Sequence, residues 1–170
     1  MTERMFSLVK KIKESRIDIG SKVLHTIINC PLEEYVSLRS IFNDCDYRVA
    51  TNNNHLFHDA DYVFQDAIWR LPSDFSDTVI NLRLSSSPFY WKTLFNMTDA
   101  CKSGGQIIIC YPTLSDIPAS SNEDFYRIGR RIVPHLADYI GATTEYVFFD
   151  DESETGDLYT IFRKKPAIYE

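Results

Sequence analysis

The chain has 170 residues, 44% of them hydrophobic, and 18 Lys and Arg against 24 Asp and Glu give a net charge of -6. That length supports one well-buried core and falls short of two ordinary domains, so a single domain over residues 1–170 is expected. The acidic balance disfavours a nucleic-acid partner, which needs clustered Lys and Arg, and no apolar run reaches the length of a membrane span.

The opening MTERMFSLVKKIKESR alternates charge with apolar residues and lacks a signal-peptide core, so a soluble, cytoplasmic protein is expected. Met5, Leu8, Val9 and Ile12 stand at helical spacing, with Lys10, Lys11, Lys13 and Arg16 largely on the other side. This predicts an amphipathic helix over residues 4–16 that packs on the core. The run 22-KVLHTIINC-30 is β-branched and apolar almost throughout, as a strand covered on both faces would be. Pro31 can open a helix, and LEEYVSLRSIF continues with helical periodicity over residues 32–42.

A second strand is expected at 47-YRVAT-51 and a third at 62-YVFQ-65, with the polar stretch NNNHLFHDAD between them. Within that stretch HLFHDAD brings nitrogen and oxygen ligands together but matches no metal motif, and it is read as a polar loop with no metal. DTVINLRL, residues 77–84, supplies a fourth strand. Residues 87–102 turn helical and are expected to stop at the Gly104-Gly105 pair, after which QIIICY is a fifth strand. Residues 121–140 read as a helix weakened or kinked by Gly129 and Pro134. Two runs close the chain, 144-TEYVFFD-150 and 157-DLYTIFRKK-165, joined by the short acidic turn ESETG.

Strands alternating with helices through short links predict a mostly parallel sheet with helices on both faces, and the last two runs predict an antiparallel hairpin. Cys30, Cys45, Cys101 and Cys110 form no C-x-x-C pair and have no His at finger spacing, so reduced, partly buried thiols are expected. Phe89, Tyr90, Trp91 and Phe95 fall on one predicted helix and are read as a core or partner-facing stripe.

The order of these segments resembles the class I S-adenosylmethionine-dependent methyltransferase fold. The likeness rests on Gln65-Asp66-Ala67 after the third strand, Leu71-Pro72, the fourth strand around Phe75 to Ile80, Lys102-Ser103-Gly104-Gly105, and the apolar run from Gln106 to Cys110. The closing TEYVFFDDESETGDLYTIFRKK is similar to that fold's last two strands. What the resemblance implies is a Rossmann-like α/β domain with a seven-stranded sheet, residues 157–164 forming the strand inserted antiparallel beside the fifth. It also implies S-adenosylmethionine as cofactor and a methyl acceptor that is a small molecule or a protein. By the same resemblance Asp66 accepts a hydrogen bond from the adenine amine while the backbone at Ala67 helps read the ring. A residue-level alternative is that Asp66 caps a turn leading to Ile68 and Trp69.

Two places depart from the family pattern. After its first strand the family carries a glycine-rich loop, whereas this chain reads HTIINCPLEE and has no glycine between Ser21 and Gly104. His25 or Thr26 stands near the family's acidic position, and Ile27 and Ile28 are expected to restrict the cleft. At the end of the second strand the family places a carboxylate on the ribose hydroxyls, whereas Asn52, Asn53 and Asn54 stand here. Losing that charged bidentate contact costs about 1.5–3 kcal/mol.

For catalysis the candidates at the C-terminal edge of the sheet are Asn81, Arg83 and Tyr111, with Asn81 also a candidate cofactor contact. SSSPFYW has no nucleophile-elbow pattern, which argues against a serine hydrolase. Three functional classes remain open: a divergent methyltransferase, a methyltransferase-like module that has lost its cofactor and binds protein or serves a structural role, and another nucleotide-binding Rossmann-like protein.

Overall fold

The structure, a computed structural model, describes residues 2–28, 42–52, 60–64, 71–84, 87, 89–112, 130–150 and 156–166. In chain order the elements are α1 (Thr2–Glu14), β1 (Lys22–Ile27), β2 (Asp46–Thr51), β3 (Tyr62–Val63), β4 (Ser76–Asn81), α2 (Tyr90–Ala100) and β5 (Cys101–Pro112). A 3-10 turn at Arg130–Ile132 leads into α3 (Val133–Tyr139), followed by β6 (Ala142–Asp150) and β7 (Asp157–Lys164). The expected helix at residues 32–42 lies outside the described residues except for Phe42, and residues 53–59, 65–70 and 121–129 lie outside them altogether.

Seven strands form one sheet in the order β3-β2-β1-β4-β5-β7-β6. β1 pairs in parallel with β2 and β4, β2 with β3, and β4 with β5, while β7 runs antiparallel between β5 and β6. Residues 157–164 therefore occupy the inserted position that the terminal hairpin pattern predicts.

The central strands are buried on both faces, which is why they read as continuous apolar runs. On one face Met5, Leu8 and Ile12 of α1 meet Val23, Ile27, Val49, Ile80, Ile108 and Ile161. On the other, Leu94 and Met97 of α2 and Leu136 of α3 meet Leu24, Val79, Ile107, Ile109 and Phe162. Adjacent positions along each strand alternate between these two clusters, following the pleat.

Three local expectations are corrected. The helix before β5 ends at Ala100, and Gly104 and Gly105 lie inside β5 rather than after a helix. The pairing of β4 with β5 jumps from Ser76↔Cys101 to Thr78↔Gln106, so residues 102–105 bulge out. Gly104 adopts φ +74, and a side chain on Gly105 would meet the Asp77 carbonyl and Cys101 Sγ at 2.7 Å. β4 stops at Asn81 instead of continuing to residue 84, because the Asn81 side chain accepts from the Arg83 amide and Arg4 takes the Leu82 carbonyl. Pro134 starts α3 near its first position and does not kink it. The aromatic reading divides: Tyr90 packs against the core, whereas Phe89, Trp91 and Phe95 are exposed.

Each end of the sheet is held by a carboxylate. At the N-terminal ends, Asp77 accepts from the Ser21 and Lys22 amides at 3.0 and 2.9 Å and from Lys102 Nζ at 2.8 Å. Lys102 and these amides hold its carboxyl down at about 2. At the C-terminal ends, Arg4 donates two bonds to Asp157, at 2.8 and 2.9 Å, and a third to the Leu82 carbonyl at 3.0 Å.

The Asp157 side chain is only 3% exposed, so it needs its cation. Arg4→Ala leaves that charge buried and the Leu82 carbonyl without Arg4, and should cost about 2–4 kcal/mol of unfolding free energy in urea titration. Arg4→Met combined with Asp157→Leu should recover most of the loss. A loss under about 1 kcal/mol for Arg4→Ala would mean that the apolar face of α1 alone holds the helix.

Candidate functional site

In an open α/β sheet the crevice lies at the C-terminal ends of the strands where the strand order reverses, which here is between β1 and β4. Four strand ends meet around it. At the end of β1, His25 is fully buried and faces the α1 side, with Nδ1 2.6 Å from the Tyr47 hydroxyl. Burial pushes its pKa down to about 3, so the imidazole is neutral at physiological pH. Its Nε2 meets no partner among the described residues.

Ile27 and Ile28 follow, both buried. The first sits in the cluster under α1 and the second in the cluster under α2 and α3. The Ile27 carbonyl accepts from Thr51 Oγ1 at 2.9 Å, which ties the ends of β1 and β2 together. The two branched side chains at this point are thus committed to the core, one on each face of the sheet.

Beyond β2, Asn52 is half-buried. Thr51 pairs with Val63, and the Phe64 amide donates to the Thr51 carbonyl at 3.1 Å, so the ends of β2 and β3 run side by side. Asn53, Asp66 and Ala67 lie outside the described residues, as does most of HLFHDAD.

Beyond β4, Asn81 is fully buried and donates through Nδ2 to Thr26 Oγ1 at 3.0 Å. Thr26 Oγ1 in turn donates to the Ile80 carbonyl at 3.1 Å, and Asn81 Oδ1 accepts from the Arg83 amide at 2.9 Å. This chain of bonds links β1 to β4 and sets the turn that carries half-buried Arg83. Counting donors and acceptors, Asn81 keeps one amide hydrogen and one carbonyl lone pair. Tyr111 stands near the end of β5 in the opposite cluster. Burial pushes its hydroxyl up to about 12, with the neighbouring Thr160 hydroxyl opposing, so it keeps its proton at neutral pH.

The structure brings Asn52, Asn81, Arg83 and Tyr111 to one edge of the sheet. Sequence reading missed the bonding role of Thr26 and the reach of Arg4 to Leu82. A hydroxyl inside a largely apolar strand marks Thr26 as a residue worth pairing, but its partner lies 55 residues away.

Solved structures with this arrangement include methyltransferases. A methyltransferase of Bacillus halodurans, described as putative, superposes with a TM-score of 0.67 over 95% of this chain and 100% of its own, at 9% identity. The Burkholderia thailandensis 1,6-didemethyltoxoflavin-N1-methyltransferase, solved with its substrate and S-adenosylhomocysteine, gives 0.61 over 96% and 88%, at 14% identity. A cyclase gives 0.65 over 95% and 81%, at 11% identity. The chain has the class I methyltransferase fold. No family model and no curated protein matches the sequence. At these identities the likeness establishes the fold alone. Among the described residues no helix is long and apolar enough to cross a membrane.

His25 gives this methyltransferase-like domain a pH signature. Its folded pKa lies below the ordinary value near 6.5, so between the two the unfolded chain binds a proton that the native state refuses. Stability from this residue is present above about pH 6.5 and is lost as the pH falls towards 3. Urea titrations across that window should show the decline, and His25→Phe should flatten it. NMR titration should find the native imidazole neutral at pH 5; a protonated ring at that pH would overturn the assignment.

Proposed function

We propose that the chain is a divergent S-adenosylmethionine-dependent methyltransferase that grips its cofactor by the adenosine half. The observation supporting this is the side-by-side run of β2 and β3: Asn52 follows Thr51, and Phe64, bonded to Thr51, precedes Asp66 by two residues. Asn52 thus follows one of two neighbouring strand ends, and in the sequence Asp66 comes three residues after the other. Asp66 accepts the adenine amine, the Ala67 backbone reads the ring, and Asn52 and Asn53 accept ribose hydroxyls. Asn81 offers its remaining amide hydrogen and lone pair.

The residues at the end of β1 fit the methionine half poorly. His25, neutral, or Thr26 stands near the family's acidic position, and the buried Ile27 and Ile28 follow where the family's glycine-rich loop lets a ligand approach. The cofactor, when bound, supplies an electrophilic methyl on a sulfonium sulfur. For their part Asn81, Arg83 and Tyr111 orient an acceptor through hydrogen bonds, and Tyr111, whose buried hydroxyl keeps its proton, is no base at neutral pH. This favours an acceptor that is nucleophilic without deprotonation and reacts through proximity and alignment.

The enclosed end of β1 supports a second reading, a methyltransferase-like module that has lost its cofactor and binds protein or serves a structural role. Calorimetry with S-adenosylhomocysteine separates the two. Under the first reading the wild type binds with micromolar or weaker affinity, and Asp66→Ala weakens binding by about 1–3 kcal/mol with its ligand-free melting temperature unchanged. Absence of both heat and thermal shift at millimolar ligand would leave only the second.

A further inference from the structure

The terminal strand β6 is unlike the rest of the sheet. β6 is nine residues long, pairs with β7 on one side, and exposes residues on both of its faces. Tyr146 is 39% exposed, Val147 44% and Phe149 38%, and Phe6 on α1 extends the patch at 58%. Tyr146 stacks on Phe148 with ring centroids 5.8 Å apart, so the apolar surface is ordered, not a scatter of loose side chains. Long exposed edge strands are usually blunted by Pro, Lys or a bulge. β6 contains neither Pro nor Lys, and its one register shift, between Thr144 and Tyr146, leaves the run from Tyr146 to Asp150 regular.

The charge pattern says what such an edge would accept. β6 ends on Asp150, and the chain continues Asp151-Glu152, so this end is acidic. Its other end lies beside the end of β7, where Ala142 pairs with Lys164 and the Lys165 amide bonds the Gly141 carbonyl; Lys164 Nζ is held by Asp74 and the Cys101 carbonyl, so it is the exposed Lys165 that makes this end basic. A strand with opposite charge at its two ends is complementary to itself when turned around. We propose that β6 pairs antiparallel with β6 of a second copy of this chain about a two-fold axis, extending the sheet across a homodimer.

An axis at Val147 sets Val147 against its own copy and Tyr146 against the partner copy's Phe148, with Asp150 lying towards the partner copy's Thr144. No like charges then face each other, and the acidic end of each copy lies towards the basic end of the other, twice. Phe6 on one face and Tyr139 of α3, 54% exposed, add apolar surface to what a short strand pair buries by itself. This surface is separate from the crevice between β1 and β4, so the pairing stands whether or not a cofactor binds.

Sedimentation velocity on the full chain, from about 1 to about 300 micromolar, should show a reversible monomer–dimer equilibrium that weakens with added salt. Val147→Lys should weaken association at least tenfold, with the melting temperature of the monomer unchanged, since the side chain is largely exposed. Asp150→Lys and Lys165→Glu should each weaken self-association, and an equimolar mixture of the two should restore it, because both contacts of the mixed dimer are then oppositely charged. Ser7→Ala serves as control for the Ser7–Asp150 bond of 2.6 Å that the first of these variants removes. A chain that stays monomeric throughout, a dimer indifferent to Val147→Lys, or a mixture that fails to recover would each overturn the proposal.

Discussion

The bond between Arg4 and Asp157 governs more of this structure than its size suggests. β7 enters the sheet antiparallel, so its first residue reaches the edge where the parallel strands end. A carboxylate at that point, buried under α1, must have a cation, and the planar guanidinium of Arg4 meets both of its oxygens while reaching the Leu82 carbonyl. One turn later Ser7 bonds Asp150 at the end of β6. The first two turns of α1 are thereby stitched to β7, to β6 and to the chain leaving β4. That fixes where α1 starts and which strands it covers. The opposite edge is organised by the same device in reverse, with Asp77 gathering the beginnings of β1 and the bulge of β5.

The sheet was legible because its signals are local. Double-faced burial makes the central strands apolar at nearly every position, and the acidic turn before residue 157 separates two alternating runs that can pair only as a hairpin. The failures share a different origin. Gly104 and Gly105 carry the same turn signal whether a helix stops there or a strand bulges, and the choice is made by the Asp77 carbonyl and Cys101 Sγ packed against Gly105. The sequence of β4 continues to alternate through residue 84, yet Arg4 captures the Leu82 carbonyl from 78 residues away. Periodicity does not register a partner at that separation. Pro134 carries a helix-breaking signal in the sequence, although near a first turn its fixed φ favours a helix.

At the candidate site, location was more legible than chemical state. Asn52, Asn81, Arg83 and Tyr111 reach one edge because strand ends in a parallel sheet must share it. What each residue does there depends on burial, which a linear pattern does not carry. Asn81 looks like a ligand amide in sequence, yet part of its bonding capacity goes to Thr26 and to the Arg83 backbone. Tyr111 looks like a base, and burial keeps its proton on. His25 looks like a titrating group near neutrality, and enclosure makes it a neutral core residue bonded to Tyr47.

The end of β1 shows the trade in physical terms. A glycine there would expose backbone to a ligand and contribute nothing to the core. Ile27 and Ile28 instead bury one side chain in each of the two clusters, each worth about 1.5–3 kcal/mol relative to exposure. The strand end is consequently stabilised by packing on both faces and by the Thr51 bond to the Ile27 carbonyl, so it holds its shape without any ligand. A site built in this way has little freedom to open at β1, because opening would uncover both side chains together. Among the described residues β2 and β3 share two paired positions where β1 and β2 share six, so the sheet holds this side of the edge by fewer rungs.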